Sequence, residues 1–105
     1  MKTTAIIASI AAVATANSCV RNSNGLYTYT VITDNTVPDI SGVCGGLWDN
    51  LKQFSQCSAS ASFCGANGAN NVLKRQFSVP NICNAGMVEA SWWDATKNKY
   101  GGISC

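Results

Sequence analysis

Apolar and polar residues follow two different periods along this chain, and the longest helical pattern covers residues 37–56, VPDISGVCGGLWDNLKQFSQ. Its apolar side chains recur every three or four positions, at Ile40, Val43, Leu47, Leu51 and Phe54. This spacing places them on one face of an α-helix, with Cys44 and Trp48 beside that face. The sequence therefore predicts a helix that needs a sheet to cover it, with Asn35 or Thr36 as its N-cap.

Three segments show the period of two that is typical of β-strands. The strongest is LYTYTVIT, residues 26–33, which is dense in β-branched and aromatic side chains. The others are CSASASFC, residues 57–64, and VLKRQFSV, residues 72–79. The pair Lys74-Arg75 could instead be a dibasic processing site, but its position inside a predicted strand favours a structural role.

The segment MVEASWWDAT, residues 87–96, also alternates, which predicts another strand with Trp92 directed inward and Trp93 outward. Residues 19–25, CVRNSNG, are polar and end in Asn-Gly, so we expect a turn there. Together the segments predict an α+β fold, a small disulfide-stapled domain in which one main helix packs on an antiparallel sheet of three to four strands.

The N-terminus has the parts of a secretory signal peptide. Residues 1–16, MKTTAIIASIAAVATA, begin with the charge of Lys2, continue with an apolar run and end in the small-x-small cleavage pattern Ala-Thr-Ala. The run is shorter than the about 20 residues that span a bilayer. We therefore predict that residues 17–105 form a single secreted, extracellular domain without an integral membrane segment. The alternative is an N-terminal helix of the core.

All six cysteines follow the predicted cleavage site, at Cys19, Cys44, Cys57, Cys64, Cys83 and Cys105. An even number in a short exported chain is typical of three disulfides, whose pairing the sequence leaves open. Cys19 and Cys105 lie near the two ends of the mature chain, so each is expected to tie a terminus to the core. The chain has no His and no CxxC pair, so we expect no metal site and no other cofactor.

Charge and composition exclude several classes of function. Removal of Lys2 with the signal peptide would lower the net charge from +2 to +1, too little for a nucleic-acid or anionic-membrane binder. The lack of His removes the commonest general base. The carboxylates show no spacing that suggests a shared catalytic cleft: Asp34, Asp39, Asp49, Glu89 and Asp94. We therefore expect no catalytic residues, and a secreted hydrolase is the last of the alternatives.

Trp93 is the strongest candidate for binding. With Glu89 and Ser91 it would form an outward-facing set, and Tyr100 and Asn98 lie nearby in the sequence. Exposed aromatic side chains with polar neighbours can stack on a sugar ring or anchor a protein interface. The predicted binding residues are therefore Trp93, Glu89 and Tyr100, unless the segment around Tyr100 covers Trp93. A working face is expected on the far side of the sheet and on the cysteine-tied loops.

Two segments carry a resemblance to known proteins: SGVCGGLWDNLKQFSQC, residues 41–57, and VEASWWDATKNKYGGISC, residues 88–105. With the signal peptide and six cysteines, the chain resembles the small secreted cysteine-rich proteins of filamentous fungi. Many of these are virulence effectors, and some share a compact α/β sandwich with the killer toxins encoded by viruses of smut fungi. The resemblance implies an effector or elicitor that binds a host extracellular or cell-surface molecule without catalysis.

Two other functions remain as alternatives, an antimicrobial or killer-type toxin and a glycan-binding cell-wall protein. A net charge of +1 disfavours a toxin that acts through a cationic amphipathic surface. The expected partner is a host protein or a cell-wall glycan, and we expect the protein to be a monomer.

Overall fold

The computed structural model describes residues 17–68 and 71–105. Within these residues the chain forms four strands and two helices: β1 Ser18–Asn24, β2 Leu26–Thr36, α1 Ile40–Leu51, β3 Ser60–Ala66, β4 Val72–Val79 and α2 Ala85–Thr96. The strands form one antiparallel sheet in the order β1-β2-β4-β3. The predicted α+β class is confirmed, whereas the predicted signal peptide, residues 1–16, lies outside the described residues.

Both helices pack on the same face of the sheet. The odd-numbered positions of β2 and β4 face them and are fully buried at Tyr29, Val31, Leu73, Phe77 and Val79. They pack against buried side chains of α1 and α2, including Leu47, Leu51, Val88 and Trp92. Each of these large apolar side chains contributes roughly 1.5 to 3 kcal/mol of transfer free energy. No described element covers the other face of the sheet, called the open face below.

The main helix is shorter than the predicted 37–56. It begins at Ile40 because Asp39 is its N-cap, with a side-chain oxygen that accepts a hydrogen bond from the Gly42 N–H at 3.2 Å. Asn35 and Thr36, which the sequence suggested as caps, belong to the end of β2. The chain leaves the helix after Leu51 in a series of turns.

Residues 19–24 belong to strand β1, so the turn predicted over 19–25 is wrong except at its last residue, Gly25. β1 pairs with β2 along its whole length, from Ser18 opposite Ile32 to Asn24 opposite Leu26. Gly25 alone makes the reversal, in a left-handed conformation with φ +82°. β1 lies at the edge of the sheet and most of its side chains are exposed. An edge strand of this kind can be polar, because its pairing and not its burial holds it in place.

Residues 87–96 are helical, and the strand predicted there is wrong. Asn84 begins α2, since its side chain accepts a hydrogen bond from the Met87 N–H at 3.0 Å. Lys97 ends the helix in a left-handed conformation with φ +53°. Val88 and Trp92 are four positions apart and both fully buried, so the apolar pattern that suggested alternation also fits one helical face.

Three disulfides join the elements, as the even cysteine count predicted: Cys19–Cys105, Cys44–Cys64 and Cys57–Cys83. The first ties the C-terminal segment to β1, so the two terminal cysteines pair with each other. The second ties α1 to β3, and the third joins the loops that follow α1 and precede α2. The C-terminal segment is therefore fixed to the sheet by a covalent bond.

Candidate functional site

Trp92 and Trp93 project to different sides of α2. Trp92 is fully buried, whereas Trp93 is 52 % exposed. Successive residues on a helix point about 100° apart, so α2 can place Trp92 in the core and the next residue, Trp93, at the surface. The predicted orientation of both tryptophans is therefore correct, although the predicted strand is not. The C-terminal segment around Tyr100 lies beside Trp93 and does not cover it.

Trp93 and Tyr100 line one groove with a volume of about 510 Å³, called the Trp93 groove here. The remaining lining comes from the end of β2 and from the C-terminal segment, at Asn35, Asn98, Lys99, Gly101 and Gly102. The volume falls within the range of about 300 to 1,000 Å³ typical of ligand sites. Two of the three predicted binding residues are thus brought together in one site.

Glu89, the third predicted binding residue, lies outside the groove and makes a structural contact. It lies one helical turn before Trp93 and is not part of the groove lining. One of its carboxylate oxygens accepts a hydrogen bond from the backbone N–H of Cys105 at 2.8 Å. A hydrogen bond to an ionised acceptor is among the stronger ones in proteins. Glu89 therefore anchors the C-terminus to α2.

Ser91 does not belong to an outward-facing set. Its side chain is fully buried, and its hydroxyl donates a hydrogen bond to the Val88 carbonyl at 2.8 Å. The expectation for Ser91 followed from a strand, in which every second residue shares a face. On a helix, Ser91 lies on the same side as Val88, three positions earlier, and faces the core.

One side of the Trp93 groove is formed by residues 100–102 and is called the C-terminal wall here. Asn17 holds this wall in place. Its amide nitrogen donates to the carbonyls of Tyr100, Gly101 and Gly102, at 2.7, 3.3 and 3.2 Å. Its amide oxygen accepts from the Asp34 backbone N–H at 2.9 Å. A single side chain thus joins the wall to the end of β2. Sequence reasoning missed this role, because the partners lie more than 80 positions away along the chain.

Two further contacts hold the same wall from the inside of the protein. The indole Nε1 of Trp92 donates to the Gly101 carbonyl at 2.8 Å. Gly101 has φ +82°, a conformation that a glycine adopts without strain. The Cys19–Cys105 disulfide closes the end of the segment. The exposed Trp93 therefore lies beside a backbone wall fixed by hydrogen bonds and by a covalent bond.

The open face of the sheet is a second exposed surface. Val20 and Phe63 are 51 % and 49 % exposed. They lie at opposite edges of one row that crosses the sheet through Thr30 and Gln76. The face is otherwise mainly polar in β2 and β4, where the Thr28 and Ser78 hydroxyls lie 2.8 Å apart. The far side of the sheet is thus an uncovered surface, its use as a working face stays a prediction, and Trp93 and Tyr100 lie elsewhere, in the Trp93 groove.

The Trp93 groove offers aromatic rings, amides and backbone groups, with Lys99 as its charged residue. Across residues 17–68 and 71–105, no cluster of three or more His, Cys, Asp or Glu side chains could hold a metal ion. In the same part of the chain, no helix is long and apolar enough to cross a membrane. Comparison with known proteins finds no matching family model, no matching curated protein and no matching solved structure.

Proposed function

We propose that this chain is a secreted effector-type protein that binds a glycan of the host cell surface or cell wall in the Trp93 groove. The observation that carries the proposal is the position of Trp93, which is 52 % exposed. It lies beside Tyr100 in the groove, and Tyr100 belongs to the C-terminal segment that a disulfide ties to the sheet. An exposed indole supplies a large contact area and loses little side-chain entropy on binding.

The chemistry of the groove fits a neutral sugar. A sugar ring has an apolar face, which can stack on an indole, and hydroxyl groups around its edge that both donate and accept hydrogen bonds. Asn35 and Asn98 provide amides with both capacities, and the backbone at Gly101 and Gly102 adds further polar groups. Lys99 is the one ionisable cation in the lining, so the groove has no strong selectivity for a highly charged ligand.

The rigidity of the groove also favours binding. Association loses affinity when a loop must become ordered around its ligand. Here the hydrogen bonds from Asn17 and Trp92 already hold the C-terminal wall in place. A ligand of the Trp93 groove would therefore meet a preformed surface.

The three disulfides are compatible with export from the cell. Three disulfides in a domain of this size are compatible with an extracellular protein, because such bonds persist in oxidising compartments. The effector role extends the resemblance to small secreted fungal proteins. Two other possibilities, that the protein is a killer-type toxin and that it binds a host protein, stay predictions from the sequence alone.

The direct experiment measures retention of the purified disulfide-intact protein on insoluble chitin, β-glucan and plant cell walls. We expect retention on at least one of these, with an affinity loss on the order of tenfold or more for Trp93→Ala. Ile82→Ala is the matched control, because Ile82 is also apolar and exposed, at 65 %, but does not line the groove. Equal retention of wild type and Trp93→Ala, or no retention on any of the materials, would overturn the proposal.

The effector role needs its own test, since a glycan binder need not act on a host. Purified protein infiltrated into leaves at micromolar concentration should provoke or suppress a plant response, and Trp93→Ala should lose this effect. Glycan retention without any leaf response would leave the binding function and remove the effector role.

A further inference from the structure

Arg75 is a fully buried cation on the helix-facing side of β4. Among the residues that the structure describes, its guanidinium makes a single hydrogen bond, from Nη2 to the Leu47 carbonyl, at the long distance of 3.4 Å. Its Nε and Nη1 groups have no hydrogen-bond partner among the described residues. Buried N–H donors are nearly always paired in native proteins, so two unpaired ones on one side chain need a reason.

No carboxylate balances this charge in the described part of the chain. The only salt bridge found there joins Lys52 to Asp49, and both of its side chains are largely exposed. Burial lowers the pKa of Arg75 to about 9, so the guanidinium still carries its charge at neutral pH. The core of the protein therefore contains a positive charge without an anionic partner.

Two aromatic rings lie against the guanidinium. Its central carbon is 4.4 Å from the centre of the Phe77 ring and 4.9 Å from that of Trp48. The electron-rich ring faces attract the cation and offset part of its lost hydration. They do not replace hydrogen-bond acceptors at the unpaired N–H groups of Arg75.

Trp48 also lines a separate groove of about 560 Å³, called the Trp48 groove here. Its apolar lining includes Leu51 and Phe54, and its polar lining consists of Lys52, Ser55, Ser58 and Ser62. No acidic side chain lines it. The groove thus combines an apolar surface with hydroxyl groups and one positive charge, and its Trp48 wall contacts the buried cation.

We propose that the Trp48 groove binds an amphiphilic carboxylate, whose alkyl chain lies against Leu51 and Phe54 and whose carboxylate pairs with Arg75 once the Trp48 side chain turns aside. The carboxylate supplies the negative charge and the acceptors that the guanidinium lacks. Trp48 is only partly buried and lines the groove, so its side chain can be displaced towards solvent. The carboxylate then takes the place of its contacts with the guanidinium and with Phe77, whose ring centre lies 6.0 Å away. Trp92, by contrast, is fixed through its Nε1.

This site is independent of the proposed glycan function. It shares no residue with the Trp93 groove. Alkyl carboxylates and polysaccharides are also chemically distinct probes, so failure of one proposal does not affect the other.

Calorimetric titration of the disulfide-intact protein with hexanoate, octanoate and decanoate, below their micelle concentrations, tests the proposal. We expect one decanoate per protein molecule and an affinity that rises about fourfold for each additional buried methylene group. Decanol should bind at least tenfold more weakly than decanoate, because it lacks the charge that pairs with Arg75. No binding of decanoate, or equal binding of decanol, would overturn the proposal.

Two variants with the same substitution separate Arg75 from general charge effects. Arg75→Met should lose most of the preference for decanoate over decanol and keep only the part that Lys52 in the groove lining contributes, whereas Lys74→Met should keep the wild-type preference. Lys74 is the adjacent cation of β4, and its side chain lies on the opposite face of the sheet. An unchanged preference in Arg75→Met would contradict the proposed pairing.

A spectroscopic readout on the wild-type protein keeps the test independent of variant folding. Decanoate should shift the Arg75 Nε–H and Trp48 indole N–H resonances in ¹⁵N-edited spectra. Shifts confined to other residues would show that decanoate binds elsewhere and would overturn the assignment of this groove.

Discussion

The guanidinium of Arg75 lies 4.4 Å from the centre of the Phe77 ring, two positions further along β4, and both side chains are fully buried. A strand places residues two positions apart on the same face, so the contact is a direct consequence of strand geometry. The sheet therefore carries a cation into the core, where two aromatic rings and one long hydrogen bond are the favourable electrostatic contacts found among the described residues. A charge held in this way lowers stability, and this consequence can be measured.

Replacement of Arg75 by Met should stabilise the protein. The substitution keeps an unbranched side chain of similar length and removes both the buried charge and the unpaired N–H groups. Replacing a buried ion pair with apolar residues of similar volume is often neutral or stabilising by about 1 to 4 kcal/mol, and Arg75 has no ion-pair attraction to lose. Urea unfolding at pH 7 with the disulfides intact gives the free energy of unfolding. A value for Arg75→Met clearly below that of wild type would show that the ring contacts outweigh the desolvation.

Glu89 should prove to be important for stability and not for binding. Glu89→Ala removes the carboxylate that accepts the Cys105 N–H, and the free energy of unfolding should fall by about 1 to 3 kcal/mol. Retention on the glycan bound by wild type should change little at a temperature where the variant is folded. Glu89→Gln keeps an acceptor oxygen and should recover part of the stability. If Glu89→Gln were folded but no longer bound the glycan, Glu89 would have to be a binding residue after all.

Asn17 should determine the order of the C-terminal wall. Asn17→Ala removes the donor shared by the carbonyls of Tyr100, Gly101 and Gly102 and the acceptor for the Asp34 N–H. We expect a loss of about 1 to 3 kcal/mol in unfolding free energy and a weaker affinity of the Trp93 groove. Amide hydrogen exchange should become faster at Gly102 and Ile103. Unchanged exchange at these two amides would mean that the disulfide alone fixes the segment.

The disulfides with the longest and the shortest loops should differ in their effect on stability. Loop-closure entropy predicts a loss of about 4 to 5 kcal/mol when Cys19–Cys105, with a separation of 86 residues, is replaced by a pair of alanines. The same change at Cys44–Cys64, with a separation of 20, should cost about 3 kcal/mol. Chemical unfolding of the two double variants gives the comparison. A larger loss at Cys44–Cys64 would show that packing between α1 and β3 dominates over loop length.

The sequence predicts the type and position of α1, β2 and β4, though not the ends of α1, because each has one buried face and a regular apolar period. It fails for β1, whose edge position leaves most side chains exposed and removes the alternation. It fails for α2 because Val88 and Trp92 are an even number of positions apart and also one helical turn apart. The same two residues therefore fit either period, and the Asn84 cap was the local signal for a helix.

The candidate sites show the same limit. The orientation of Trp93 follows from a local pattern and is correct. The roles of Glu89 and Asn17 depend on contacts with the C-terminal segment, and a local pattern contains no information about such partners. The burial of Arg75 could have been predicted from the sequence, because its place between Leu73 and Phe77 assigns it to the apolar face of β4. The usual exposure of arginine obscured that signal.

The most direct test of the proposed glycan function is an NMR titration of the ¹⁵N-labelled protein with soluble hexasaccharides of chitin and of β-glucan. We predict that at least one of them produces saturable shifts, with the largest at the Trp93 indole N–H and at the backbone amides of Asn98 and Tyr100. The absence of saturable shifts with either sugar, or shifts confined to the open face around Val20 and Phe63, would contradict binding in the Trp93 groove.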